Sequence, residues 1–330
     1  VTTVATDLQL LEQWEGGLSY REIASAHGLN ADSVRGRVYR AKQGWTVPPS
    51  IAEALTALGE PLHLTLDSVM VTGDWQIPTT DCDMVALMLE IARRYMKRPR
   101  HLIIAGDFIN ADAFSGYEPT HDILGFSEEV DAARALLHTL LGTFDHIYWS
   151  FGNHERRVTK RSKGALTAAH VAAIITHSPR VTVSPWSHIT VNSSGEVYRV
   201  THPRNYSVNA LKTGDALAQK FQSHIIGHHE HHVGKGHDRF KRYVVVNNGG
   251  MFAAQAMGYA LLDDSTMPNM QPGFTLLADG VAEVFTYGAF TNWARWLPDR
   301  PRKTKEIDLR RVLKAREPDD GKKERKERAS

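Results

Sequence analysis

At 330 residues, 42% hydrophobic and 23% charged, the chain has the length of two domains and the make-up of a globular protein. Its single cysteine, Cys82, excludes an internal disulfide framework and any multi-cysteine zinc site, and no apolar run reaches the roughly 18 residues of a membrane span. The formal net charge of +2 hides an uneven distribution: of 17 histidines, six (His224, His228, His229, His231, His232, His237) lie between 224 and 237, a composition that points to metal. No basic segment precedes an apolar stretch near Val1, so no signal peptide is expected and the expected compartment is the cytoplasm.

The first 44 residues read as three helices. Leu8, Leu11, Glu12 and Trp14 begin an amphipathic pattern that Gly16-Gly17 ends. Ser19-Tyr20-Arg21-Glu22 is a capping box, so a second helix starts at Ser19, with Ile23 and Ala24 on its core face. Gly28 makes the turn, and Asn30 or Asp32 caps a third helix running to about Lys42. Residues 45–60 read as a linker, with a short helix over 51–58. From Pro61 the texture changes. Apolar runs end in polar clusters: Val69-Met70-Val71 into Gly73-Asp74, Leu102-Ile103-Ile104 into Gly106-Asp107, and Ile147-Tyr148-Trp149 into Gly152-Asn153-His154. Two later runs, ending at Val200 and Ile226, lead into His202 and Gly227-His228-His229. Helices are predicted over 83–95, 127–141 and 209–221, and hairpin strands over 239–247 and 273–287. Strands alternating with helices predict an α/β core whose strand ends carry the chemistry. From 298 to 330 the chain is rich in charge and poor in apolar residues, and is expected to be a partly helical or disordered tail.

Five strand-end clusters stand out: Asp74-Trp75-Gln76, Gly106-Asp107-Phe108-Ile109-Asn110, Gly152-Asn153-His154-Glu155, His202, and His229-Glu230-His231. In this order they resemble the calcineurin-like metallophosphoesterase family, whose motifs are D-x-H, G-D-x-x-N/D, G-N-H-E/D, a lone His and G-H-x-H. The resemblance covers about 61–290 and is assigned to a domain over 61–297. It implies a four-layer α/β/β/α sandwich holding two divalent ions, with Mn²⁺ the first expectation and Mg²⁺, Zn²⁺, Fe²⁺ or Ni²⁺ the others. Two ions about 3.5–4 Å apart can clamp an in-line phosphoryl displacement. By the same resemblance, Asp74, Gln76, Asp107 and His231 hold one ion. Asp107, Asn153, His202 and His229 hold the other, so that Asp107 bridges. His154 is then not a ligand; it contacts the phosphate and protonates the leaving oxygen. Two departures stand against the pattern. Gln76 replaces the family's His, and an amide oxygen is a weaker donor to transition metals than imidazole. One extra residue also separates Gly227 from the H-x-H pair. His229 with His231 is preferred because alternation in an extended segment sends both rings to one side; His228 with Glu230 is the other register.

The N-terminal helices resemble the helix-turn-helix domains of sigma-factor-like and phage proteins. Residues 1–50 hold five basic and five acidic side chains, yet the third helix sets Arg35, Arg37, Arg40 and Lys42 against Asp32 alone. With Ser33 near its start, this suits a recognition helix on DNA; a protein-assembly module is the other reading. Between 300 and 330, thirteen basic residues face seven acids, a solvated tail or a non-specific nucleic-acid arm. The expected function is a metal-dependent phosphodiesterase acting on DNA. The rivals are a phosphatase for a small or protein substrate and a DNA-binding scaffold whose metal domain is degenerate.

Overall fold

A computed structural model of the chain describes residues 5, 7–42, 60–116, 125–254 and 270–298. The chain divides into two units, Val1–Glu60 and Pro61–Ser330. The linker, its short helix and the charged tail therefore lie outside the described residues, apart from residues 60 and 298.

The first unit contains α1 (Asp7–Glu15), α2 (Tyr20–His27) and α3 (Ala31–Lys42). The capping box forms: Ser19 Oγ accepts from the Glu22 N–H, and the Glu22 carboxylate accepts from the Ser19 N–H at 2.8 Å. Gly28 ends α2 with φ of 64°. Asn30, not Asp32, caps α3, its Oδ1 accepting from Ser33 N at 2.7 Å. Leu10, Ile23, Ala24, Val34 and Val38 close a small core. Leu8 faces outward and Leu10 is the buried leucine of α1, because the apolar face is set by what α2 and α3 present to it.

The second unit is a four-layer α/β/β/α sandwich. Its strands are β1 (His63–Thr65), β2 (Ser68–Thr72), β3 (His101–Ala105), β4 (His146–Ser150), β5 (Val181–Ser184), β6 (His188–Ser193), β7 (Glu196–Thr201), β8 (His224–Gly227), β9 (Val233–His237), β10 (Val244–Asn248), β11 (Gly273–Ala278) and β12 (Val281–Thr286). One sheet has the order β12-β11-β2-β3-β4-β5 and the other β1-β6-β7-β8-β10-β9. The helices are α4 (Cys82–Tyr95), α5 (Phe126–Leu141), α6 (Asn153–Arg161), α7 (Ala168–Ile175), α8 (Lys212–Phe221) and the short α9 (Trp293–Trp296). The predicted strand at 239–247 is shifted: 233–237 and 244–248 form the hairpin, and the polar residues between them make its turn.

Alternation along the strands builds the layers. Val69, Val71, Ile103 and Ala105 point to one side and meet Ile189, Val191, Val200, Ile226 and Val246 of the other sheet. Met70, Leu102, Ile104, Ile147 and Trp149 point to the other side and meet α4, α5 and α7. Ile225 and Val245 turn away from the inter-sheet core and pack under Ala218 of α8. Strands covered on both faces read as unbroken apolar runs, which is why Val69–Val71 and Leu102–Ile104 show no polar alternation. No described helix is long and apolar enough to cross a membrane.

Ile103 is fully buried between the sheets. Ile103→Ala should cost about 2–5 kcal/mol by leaving a cavity there, read as a lower urea midpoint with an unchanged m-value.

Candidate metal centre

The strands end where the chemistry begins. β2, β3 and β4 of one sheet and β7 and β8 of the other release the chain at Gly73, Gly106, Phe151, His202 and His228 respectively. Backbone bonds join the first loops: Asp74 N donates to Gly106 O at 3.0 Å, and Trp75 N and Gln76 N donate to Asp107 O at 2.8 and 3.0 Å. Glu155 joins the next. Its buried carboxylate accepts from the N–H groups of Asp107 (3.0 Å), Phe108 (2.6 Å) and Gly152 (2.9 Å). The close approach of these loops requires glycine. A Cβ on Gly152 would lie 2.6 Å from Asp107 N, and one on Gly106 would lie 2.7 Å from Gly152 Cα.

Five of the seven candidate ligands have left-handed backbone: Asp74 (φ 48°), Gln76 (45°), Asp107 (52°), His229 (79°) and His231 (60°). For side chains with a Cβ each such position costs on the order of 1–3 kcal/mol, and such residues gather at functional sites. His229 and His231 therefore do not alternate along an extended strand, as the sequence argument assumed. They sit on a turn, and its geometry brings them to the site.

Two groups of side chains result. Asp107, His202 and His229 present ligand atoms within 4.8 Å of one another. His202 Nε2 lies 2.8 Å from Asn153 Oδ1 and 3.4 Å from Asp107 Oδ2. Its Nδ1 is 3.2 Å from the carbonyl of Ala105, the contact that leaves Nε2 free to bind metal. In the second group His231 Nε2 lies 3.2 Å from Asp74 Oδ1 and 3.0 Å from Gln76 Nε2. The two groups meet through His202, whose Nδ1 is 3.8 Å from Asp74 Oδ1. All seven candidate ligands are thus gathered at one end of the sandwich, in two neighbouring groups.

Burial and charge dominate the electrostatics. Burial pushes the Asp107 carboxyl up to about 8, helped by the negative Asp74 beside it. Burial would also raise Asp74, but His202, His231 and His228 outweigh it and hold that carboxyl well below its usual value. Burial lowers His202 and His229 to about 4, leaving both imidazoles neutral at pH 7. Asp107 Oδ2 and Gln76 Oε1 are buried without a hydrogen bond. Unpaired acceptors beside neutral imidazoles form a donor set for a divalent cation, so the residues present fit the implied metal.

His154 opens α6. Its backbone N–H donates to Asp107 Oδ1 at 2.9 Å, and its Nε2 lies 3.5 Å from Asp107 Oδ2. The Arg157 guanidinium donates to the same Nε2 at 2.9 Å. Burial and then the Arg157 charge hold His154 well below the usual imidazole value. Its Nδ1 is buried without a partner.

No family model and no curated protein matches the sequence. Solved structures resemble the fold at low identity. Wild-type Vps29 from Entamoeba histolytica in a zinc complex is 12% identical, with 67% of this chain and 98% of that one covered and a TM-score of 0.34. Vacuolar protein sorting 29 from Cryptosporidium parvum is 13% identical, with coverage of 67% and 96% and a TM-score of 0.36. Vps29 from Chaetomium thermophilum is 12% identical, with coverage of 67% and 94% and a TM-score of 0.36. These TM-scores are low, and the reading of the site rests on its own side chains.

The roles of three partners of the site show only in the structure. Glu155 was part of a motif, but its hold on three backbone N–H groups is visible only in three dimensions. Arg157 lies against His154 and also donates to Asn110 O at 3.0 Å. His228, the spare histidine of the cluster, is buried with Nδ1 3.5 Å from Asp74 Oδ2. It belongs to the register that the sequence placed second, His228 with Glu230.

In the helical unit the proposed DNA contacts divide. Arg35 is exposed and pairs with Asp32 at 2.7 Å. Arg37 turns inward, against expectation: it donates to Asp7 Oδ1 at 2.5 Å and to the Ala5 carbonyl at 2.6 Å, tying α3 to α1. Ser33 is part of the Asn30 cap, and the side chain of Arg40 lies outside the described residues.

Two outcomes are expected. Gln76→His should tighten Zn²⁺ or Mn²⁺ binding, since imidazole is the better donor; unchanged calorimetric affinity would remove Gln76 from the ligand set. The second concerns pH. The raised value of Asp107 means that its contribution to apo stability is present below the ordinary carboxylate value of 3.8 and is lost as pH rises through about 8. A cation replaces the proton there, so the thermal stabilisation by Mn²⁺ over chelator should grow steadily from about pH 6 to about pH 8.5. A flat difference would mean that Asp107 is not a ligand.

Proposed function

We propose that this protein is a metal-dependent phosphodiesterase that uses two divalent ions, Mn²⁺ foremost, and acts on DNA. The observation that carries the reading is the buried Asp107 carboxylate, its Oδ2 unpaired and His202 and His229 within ligand distance of one another beside it. Bound ions would supply Lewis-acid activation of the phosphoryl group and of the attacking water. The residues of the chain account for the rest. Asp74, Gln76 and His231 support one half of the donor set, and Asn153, His202 and His229 the other, with Asp107 between them. Glu155 keeps the Asp107 and Asn153 loops in register.

His154 is the proposed acid. Arg157 and burial keep its imidazole neutral in the free site. A phosphate anion beside it opposes the Arg157 charge and favours the imidazolium, so the proton is available when substrate is bound and can pass to the leaving oxygen. The DNA part of the reading is supported by the helical unit, where Arg35 remains exposed on α3, and by the basic residues that follow position 299.

Turnover of bis-p-nitrophenyl phosphate with Mn²⁺ tests the reading. The wild-type chain should hydrolyse it and chelator should abolish the activity. His154→Ala should retain metal while losing roughly 10²–10⁴-fold in kcat, the usual weight of general acid catalysis. Asp107→Ala should lose both metal and turnover. Wild-type rates in His154→Ala would remove it from the acid role.

A further inference from the structure

The candidate metal centre adjoins a basic helix, α6, which begins at Asn153 and His154. α6 reads Asn-His-Glu-Arg-Arg-Val-Thr-Lys-Arg, and its sole acid, Glu155, is buried in the bonds to Asp107, Phe108 and Gly152. His154, Glu155 and Val158 face inward. At 100° per residue, Arg156 and Lys160 fall on the opposite arc and Arg161 lies to one side of it, in the last turn; all three are exposed. Among the described residues, none of the three has a carboxylate within ion-pair distance. Arg156 donates to the carbonyl of Pro185 at 2.7 Å and Arg161 to that of Ser115 at 3.4 Å; both bonds orient a guanidinium and leave its charge uncompensated. A solvated helix of this length ordinarily interleaves acids with its bases.

Aromatic side chains flank this arc and the site. Trp186 follows the carbonyl that holds Arg156 and is 36% exposed. Tyr206 is 62% exposed, four residues beyond the proposed ligand His202, and its ring packs edge-on against His229 with centroids 6.0 Å apart. A large aromatic left in water beside a metal ligand contributes little to the fold and offers a flat face to substrate. Cations that follow a phosphate backbone, combined with aromatics on which bases stack, make up the recognition surface for single strands.

We infer that the exposed arc of α6, with Trp186 and Tyr206, carries a single strand of nucleic acid into the metal centre: Arg156, Lys160 and Arg161 meet its phosphates, and Tyr206 stacks on the base next to the scissile bond. The inference rests on the phosphodiesterase reading of the centre and supplies its substrate form. It places strand recognition in the catalytic unit itself.

The test uses the full chain, chelator to prevent cleavage, and a fluorescein-labelled twenty-residue oligothymidylate titrated by anisotropy at several KCl concentrations. Substituting Arg156, Lys160 and Arg161 together by Ala should weaken binding at low salt at least tenfold. It should also flatten the slope of log K against log[KCl] by about 2, from roughly 0.7 per phosphate contact on a single strand. Replacing the same three by Lys or Arg in exchange should restore the slope. Tyr206→Ala should weaken binding about tenfold with the slope unchanged, since stacking releases no counterions. Thermal midpoints would check that the exposed substitutions leave the fold intact. A triple variant with wild-type affinity and slope, or a wild-type chain that does not bind the oligonucleotide, overturns the inference. A chain that binds as described and hydrolyses no diester instead overturns the phosphodiesterase reading and leaves the strand-binding surface standing.

Discussion

The site depends on one carboxylate that never touches the chemistry. Glu155 accepts backbone N–H groups from Asp107, Phe108 and Gly152, so a single side chain fixes the exits of β3 and β4 together. The consequence is local and strict. Asp107 adopts left-handed backbone, Gly152 passes too near it to carry a side chain, and His154 N–H reaches Asp107 Oδ1. Burial holds the Glu155 carboxyl up at about 7, with the Asp107 charge adding to the rise.

Charge compensation explains the rest of the centre. Two buried acids, Asp74 and Asp107, cannot both ionise cheaply in a site without a cation. The protein places His202 and His229, which burial keeps neutral, beside them rather than arginines, and neutral donors leave the negative charge available to a metal. Arg157 is the exception, and it is spaced from the carboxylates by His154.

The fold was legible in the sequence to a good degree because strands buried on both faces write unbroken apolar runs. Val69–Val71, Leu102–Ile104 and Ile147–Trp149 announced β2, β3 and β4 with their polar ends. The strands β5, at an edge, and β6 were less visible. They carry half-covered Thr and buried Ser and His, where alternation and loop chemistry look alike. The candidate ligands could be named because each follows a strand end, but the reason offered for His229 and His231 failed, since a turn with positive φ does not follow strand alternation. Arg37 was misplaced for a related reason: helical spacing gives the angle of a side chain about the axis, and only the buried Asp7 across from it decides that the arginine faces in.

The donor set is shared between two sheets. Asp74, Asp107 and Asn153 hang from β2, β3 and β4, whereas His202, His229 and His231 hang from β7 and β8. No covalent path shorter than a full crossover joins the halves, so the packing of Val71, Ile103 and Ala105 on Val200, Ile226 and Val246 acts as the gauge that spaces them. Interiors packed to crystal-like density do not slide continuously; they settle into discrete fits. A methyl group added or removed in that layer would therefore move the carboxylate half against the imidazole half as a block. Variation far from solvent and from substrate would then be read out first as a change in which ion the protein prefers, before any loss of the fold.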